Sequence, residues 1–178
     1  MMKVVCVVGD SGSGKTTFIE SLSANLKHRG LRVSCVKRSH HHIEIDHAGK
    51  DSWRMKQAGA FEVVLVSQNS MSLQRTFENE YSMTIHEVLA QMYEGVDWVI
   101  VEGFKDSDIL KIEVVDTAND VSHLLCHADD FIVAIVCSAS GDVTLGSSLP
   151  VFVRDQPEPI TDWLLAHQER FVYSPPLS

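Results

Sequence analysis

Gly9-Asp10-Ser11-Gly12-Ser13-Gly14-Lys15-Thr16 matches the spacing G-x-x-x-x-G-K-[ST] at every fixed position. Each residue type there has a use in holding a polyphosphate. Glycines let the backbone wrap closely and turn successive N–H groups inward, and the start of a helix adds partial positive charge. The Lys15 ammonium is placed to reach the β- and γ-phosphates, and the Thr16 hydroxyl is a ligand for Mg²⁺. The expected nucleotide contacts are thus Gly9, Asp10, Ser11, Gly12, Ser13, Gly14, Lys15, Thr16 and Thr17. An ordinary Gly/Ser turn before a helix is the plainer alternative. The flanks decide against it: the apolar run Val4–Val8 precedes the loop, and Phe18, Ile19, Leu22 and Leu26 follow at helical spacing.

A phosphate-bound metal needs a further acid, commonly at the end of a core strand. Glu102 directly follows the apolar run Trp98–Val101 and is the first candidate; otherwise it is a strand-end carboxylate facing water. Asp46 and Asp51 follow the second strand and are the other acids within reach of such a metal. Asp51 also reads as a helix N-cap. The guanine-reading pattern [NT]-K-x-D is absent after Phe131–Val136, where the chain runs Cys137-Ser138-Ala139-Ser140-Gly141-Asp142. Base specificity could come from that stretch or from Arg154-Asp155 after the last strand; Asp155 can accept from the donor edge of guanine, or is simply an exposed turn residue.

His40, His41, His42 and His47 place four of the nine histidines close together. Adjacent histidines in extended chain point alternately to opposite sides, so three in a row seldom ligate one ion, and no cysteine joins them at zinc spacing. A solvated polar loop is a second reading. A third is a positive lip, with Lys37 and Arg38, that binds a second phosphate-bearing ligand. Position favours the third. The residues assigned to that second ligand are Lys37, Arg38, His40, His41, Asp46 and Lys105.

These groups need a scaffold. Lys27-His28-Arg29 and Gly30 end the first helix, and Leu31–Val36 is a second strand, which makes a βαβ unit and implies a parallel sheet. Residues 37–50 lie past a strand end, where open α/β sheets bind ligands. A short helix follows over Asp51–Ala58, then strands over Phe61–Val66 and Met71–Phe77. Thr84 and Glu87 fit a capping box opening a helix that closes near Gly95. Leu110–Val115 follows Trp98–Val101 too closely for a helical crossover and reads as antiparallel. Phe131–Val136 and Val151–Val153 are the last strands, and Pro159–Arg170 the last helix. The expected fold is α/β and three-layered: a mostly parallel twisted sheet with helices on both faces and an added antiparallel strand or hairpin. One domain spans residues 1–173, with a disordered tail over 174–178.

With 178 residues, 44% hydrophobic and 22% charged, the chain has the make-up of one soluble globular domain. The formal net charge of -9 argues against nucleic acid, so an anionic ligand must be captured by a local site. No apolar run approaches the roughly 20 residues of a membrane span, and no cleavable signal precedes the first strand. Cys6, Cys35 and Cys137 lie in apolar runs and read as buried reduced thiols, so a cytoplasmic location is expected.

In order, Gly9–Thr17, Val36-Lys37 with His40-His41, Ile45-Asp46, Gly49-Lys50-Asp51-Ser52, Ala58-Gly59-Ala60, Val101-Glu102-Gly103-Phe104-Lys105 and Lys111-Ile112-Glu113 resemble the molybdopterin-guanine dinucleotide biosynthesis adapter family, a branch of the P-loop GTPases. The resemblance implies a GTP-binding homodimer with weak GTPase activity. Its partner would be a molybdenum cofactor guanylyltransferase that joins GMP to molybdopterin, and its ligands GTP, Mg²⁺ and molybdopterin or its dinucleotide. It maps the metal onto Thr16, Asp51 and Glu102. The family commonly has Lys-His-x-His-His-Asp where this chain has Lys37-Arg38-Ser39-His40-His41-His42, a more basic lip. A nickel-chaperone GTPase using the histidines, and a small-molecule kinase or ligase of the dethiobiotin synthetase type, are the alternatives.

Overall fold

The structure, a computed structural model, describes residues 1–39, 46–92, 94–116, 124–138 and 147–176. They form two compact units: Met1–Arg38 with Ile85–Ser178, and Ser39–Thr84. The boundaries fall inside the stretch read above as one domain.

The first unit is built on a six-stranded sheet in the order β2-β5-β1-β6-β7-β8. Its strands are β1 (Lys3–Val8), β2 (Val33–Lys37), β5 (Trp98–Glu102), β6 (Lys111–Val115), β7 (Ile132–Cys137) and β8 (Val151–Val153), all paired in parallel. Alternation along β1 sends Val5 and Val7 to one face and Val4 and Cys6 to the other. Val5 and Val7 join Trp98, Ile100, Ile112 and Val114 under helices α1 (Lys15–His28) and α4 (Pro157–Ala166), which contribute Phe18, Leu22, Leu26, Ile160 and Leu164. Val4 and Cys6 join Val99 and Val101 beneath α3 (Ile85–Leu89) through Ile85 and Leu89. The result is the expected three-layered α/β architecture. Burial pushes the Cys6 thiol up to about 11, against weaker lowering by the Ser107 hydroxyl and Lys111.

The antiparallel reading of Leu110–Val115 is overturned, because β6 runs parallel to both β1 and β7. Strand stagger is the reason. Cys6 is level with Val101 of β5 on one side and with Lys111, the first residue of β6, on the other. The connection over residues 103–110 therefore need not travel the length of the sheet, and it packs Phe104 and Ile109 onto the α3 face.

Three further expectations change. Cys35 is exposed, because β2 is an edge strand. The α3 helix ends at Leu89, well short of Gly95, as Gln91 and Met92 donate to the carbonyls three residues back and tighten the chain into turns. The α4 helix starts at Pro157, whose fixed φ suits a first helical turn, and gives way after Ala166 to a 3₁₀ turn over Gln168–Phe171. That turn seats Phe171 beside Trp98, with ring centroids 5.6 Å apart. Beyond it Val172 bridges Lys3, and the Tyr173 N–H donates to the Met2 carbonyl at 2.9 Å.

The second unit holds α2 (Asp51–Gln57) packed on β3 (Glu62–Val66), which pairs antiparallel with β4 (Met71–Arg75). This is the added antiparallel hairpin. Glu62 and Arg75 face each other in register and close at 2.6 Å, fixing the open end, while Ser67 and Ser70 tie the turn. Val64, Leu65, Val66, Met71 and Leu73 are exposed along it.

Candidate functional site

The glycine-rich loop joins β1 to α1 at the C-terminal edge of the sheet, with Gly9, Gly12 and Gly14 all at positive φ. Gly9 is sterically required, because a Cβ there would collide with the Val114 carbonyl oxygen, whereas one on Gly14 would press on the movable Arg154 guanidinium. Gly14 is also the α1 N-cap, at φ 92° and ψ 20°, so no side chain screens the helix's first N–H groups. The Lys15 ammonium folds back across the loop and donates to the carbonyls of Gly9 (2.9 Å) and Asp10 (2.5 Å). Ser13 is buried with its Oγ unpartnered among the described residues, an orphan group in a cradle of this kind. Asp10, Ser11 and Thr17 are exposed around it.

Glu102 ends β5, and its two oxygens have separate partners. Oε2 accepts from the Thr16 hydroxyl at 3.1 Å, and Oε1 lies 3.0 Å from the Lys37 ammonium. Register explains the second contact, since Lys37 ends β2 directly beside Glu102. The sequence placed Lys37 with a second ligand; here it is the counter-ion of the site carboxylate. Arg38 donates its N–H to the Glu102 carbonyl at 3.0 Å and sets its guanidinium 5.0 Å from the centroid of the Phe104 ring. Phe104 holds a φ of 53°, an uncommon conformation for a bulky residue, and Gly103 before it has a φ of 98°. The backbone leaving Glu102 is thus bent sharply back, with strain stored next to the site.

On the other flank the chain leaves β8 into Arg154 and Asp155. Arg154 Nη1 donates to the Ser13 carbonyl at 3.3 Å, and Nε to Asp155 Oδ1 at 3.2 Å. Asp155 itself is exposed, and Lys105 lies in an exposed turn beyond Phe104. The sequence pairs Arg154 with Asp155 as candidates for base specificity and does not disclose that Arg154 packs on the P-loop. A usable signal was a cation straight after a strand, the mirror of the acid after β5.

Asp46 and Asp51 belong to the second unit. Asp46 accepts from the His47 N–H at 2.9 Å. Asp51 is the first residue of α2, not its N-cap, which is Lys50; its exposed carboxylate lies 3.8 Å from Arg54. His40, His41 and His42 lie outside the described residues, as does the 139–142 stretch after β7.

Strand, glycine loop and helix on a parallel sheet, with a threonine hydroxyl held on a strand-end carboxylate, define a P-loop nucleotide-binding fold. The family model described as "Molybdopterin guanine dinucleotide synthesis protein B" (MobB) matches residues 4–138. The chain belongs to the MobB family. The molybdopterin-guanine dinucleotide biosynthesis adapter protein of Haemophilus influenzae is 37% identical over 131 residues, 72% of this chain and 71% of that protein. A crystal structure of molybdopterin-guanine biosynthesis protein B is 31% identical, with a TM-score of 0.67, covering 92% of this chain and 99% of the other. The crystal structure of Bacillus subtilis MobB is 26% identical, with a TM-score of 0.70, over 97% and 99% of the two chains. Membership places this chain in molybdenum cofactor biosynthesis, with an adapter's role. No described helix is long and apolar enough to cross a membrane.

Proposed function

We propose that the chain binds GTP with Mg²⁺, hydrolyses it slowly, and assists a guanylyltransferase that attaches GMP to molybdopterin. The observation that carries the nucleotide part is the joined set of Gly14 at the α1 N-terminus, Lys15 spanning the loop and Thr16 held on Glu102. The groups fit a metal–nucleotide pair. Thr16 and Glu102 present oxygen donors, the kind Mg²⁺ takes, and Lys37 already holds positive charge against the carboxylate. When bound, Mg²⁺ neutralises charge on the β- and γ-phosphate oxygens. Asp51 is the third metal ligand that the resemblance assigns, and the positive-lip reading gives the second ligand to Lys37, Arg38, His40, His41, Asp46 and Lys105.

Slow turnover is supported by how these charges are engaged: Lys15 is held by loop carbonyls, Glu102 by Thr16 and Lys37, and Arg154 by Ser13 and Asp155. A protein of this kind holds its nucleotide while another does the transfer. A homodimer is part of the same reading, supported by the apolar side chains exposed on β3 and β4. Location in the cytoplasm, where the cofactor's partner enzyme would be met, goes with it.

The test is titration with GTP and ATP in Mg²⁺, alongside a pull-down of a molybdenum cofactor guanylyltransferase with and without GTP. Binding of GTP over ATP, slow turnover and nucleotide-sensitive association are expected, and Lys15→Ala should abolish binding with the fold intact. Preference for ATP with fast, acceptor-dependent consumption would overturn the proposal.

A further inference from the structure

The last strand delivers a second cation, Arg154, to the P-loop. Arg154 is fixed at its root: its N–H donates to the Cys137 carbonyl at 2.8 Å, extending the β7–β8 ladder by one rung. Its guanidinium is fixed at the tip by the Ser13 carbonyl and by Asp155. It lies so close to Gly14 that a Cβ there would have to push it aside. At 22% exposure the side chain is packed against the loop rather than extended into solvent.

Topology gives this position a meaning. Sheet order puts β5 on one side of β1 and β6, β7 and β8 on the other. Thr16 meets Glu102 on the β5 flank, and Ser13 meets Arg154 on the β8 flank. A P-loop backbone cradles the α- and β-phosphates, its lysine reaches the β- and γ-phosphates, and its threonine serves the metal. The terminal phosphate therefore lies towards the Thr16–Glu102 side, and the nucleoside extends towards β8. We infer that Arg154 is a positioning and specificity residue for the nucleoside and α-phosphate half of the nucleotide, and has no part in handling the terminal phosphate. It braces the Ser13–Gly14 turn and presents a planar cation, suited to stacking on a purine, at the β8 edge. A compact ammonium in its place would keep the charge and lose the plane.

The inference rests on the nucleotide-binding reading, and the experiment separates the two. Dissociation constants for GTP, GDP and GMP are measured by calorimetry for the wild type, Arg154→Met, Arg154→Lys and Lys15→Ala, with kcat for slow GTP hydrolysis. Arg154→Met should weaken all three nucleotides by a common factor of about ten or more, with kcat at saturation within about twofold of wild type. Arg154→Lys should recover part of the loss. Lys15→Ala should show the opposite pattern, losing GTP and GDP far more than GMP. A loss confined to GTP with a fall in kcat would make Arg154 a terminal-phosphate residue and overturn the inference. Unchanged binding of all three nucleotides would overturn it too. A wild type that binds no nucleotide refutes the functional reading and this inference together. If Arg154→Met shows no cooperative thermal transition, the common-factor test is read on Arg154→Lys.

Discussion

Gly14→Ala adds one methyl group where two constraints meet, a backbone φ of 92° and the guanidinium of Arg154. The left-handed conformation costs an L-residue about 1–2 kcal/mol. Crowding the guanidinium adds about 1–3 kcal/mol if the side chain stays, or about 1 kcal/mol if it swings out and gives up the Ser13 carbonyl. The lower route wins, so the substitution should destabilise by about 2–3 kcal/mol in total. In an Arg154→Ala background the guanidinium is gone and the backbone term of about 1–2 kcal/mol remains. The double-mutant cycle should therefore show a coupling of about 1 kcal/mol, the pair being less damaging than the sum. Urea unfolding of the four proteins, followed by tryptophan fluorescence, measures it. Equal costs of Gly14→Ala in the two backgrounds, within about 0.3 kcal/mol, would refute the clasp between β8 and the P-loop.

Glu102→Gln should cut the Mg²⁺-dependent gain in GTP affinity by about tenfold or more, read by titration in Mg²⁺ and in EDTA; an unaltered gain would remove Glu102 from the metal site. Lys111 is buried in the first unit, 3.1 Å from Asp129, 2.5 Å from the Ser107 carbonyl and 4.7 Å from the Phe131 ring centroid. Asp129→Asn leaves that ammonium under-compensated and should cost about 3 kcal/mol in a urea melt, whereas adding Lys111→Met should restore most of it. The Cys6 thiol, raised from 9.0 to about 11, forms its thiolate less readily folded than unfolded, so its contribution is whole below pH 9 and falls as pH rises towards 11. The loss is about 3 kcal/mol across that window and should be missing in Cys6→Ala, the check being stability measured from pH 8 to pH 11. Tyr173, raised by burial and then by Asp108, titrates in the same direction in both proteins and cancels in the difference.

Most of the P-loop half of the site was legible in the chain, because its parts are local. A glycine loop between a strand and a helix places Lys15 and Thr16 through neighbouring residues alone. Glu102 was legible for a similar reason, as an acid closing a wholly apolar run. The direction of β6 was not, because connection length predicts strand direction only when strands start level, and β6 starts beside Cys6 rather than beside Lys3. Burial of Cys35 was misjudged since an apolar run does not say whether its strand is central or at the edge.

What residue order alone determined lies in short range: the glycine loop between a strand and a helix, the alternating strands, the helix faces and the family those motifs resemble. Tertiary structure decided who stands beside whom. Parallel register between β2 and β5 set Lys37 beside Glu102 as its ion-pair partner. Sheet order carried Arg154, 141 positions from Ser13, onto the opposite flank of the same loop. Such meetings depend on strand order and stagger, set by packing over the whole sheet, and no local pattern of residues records them.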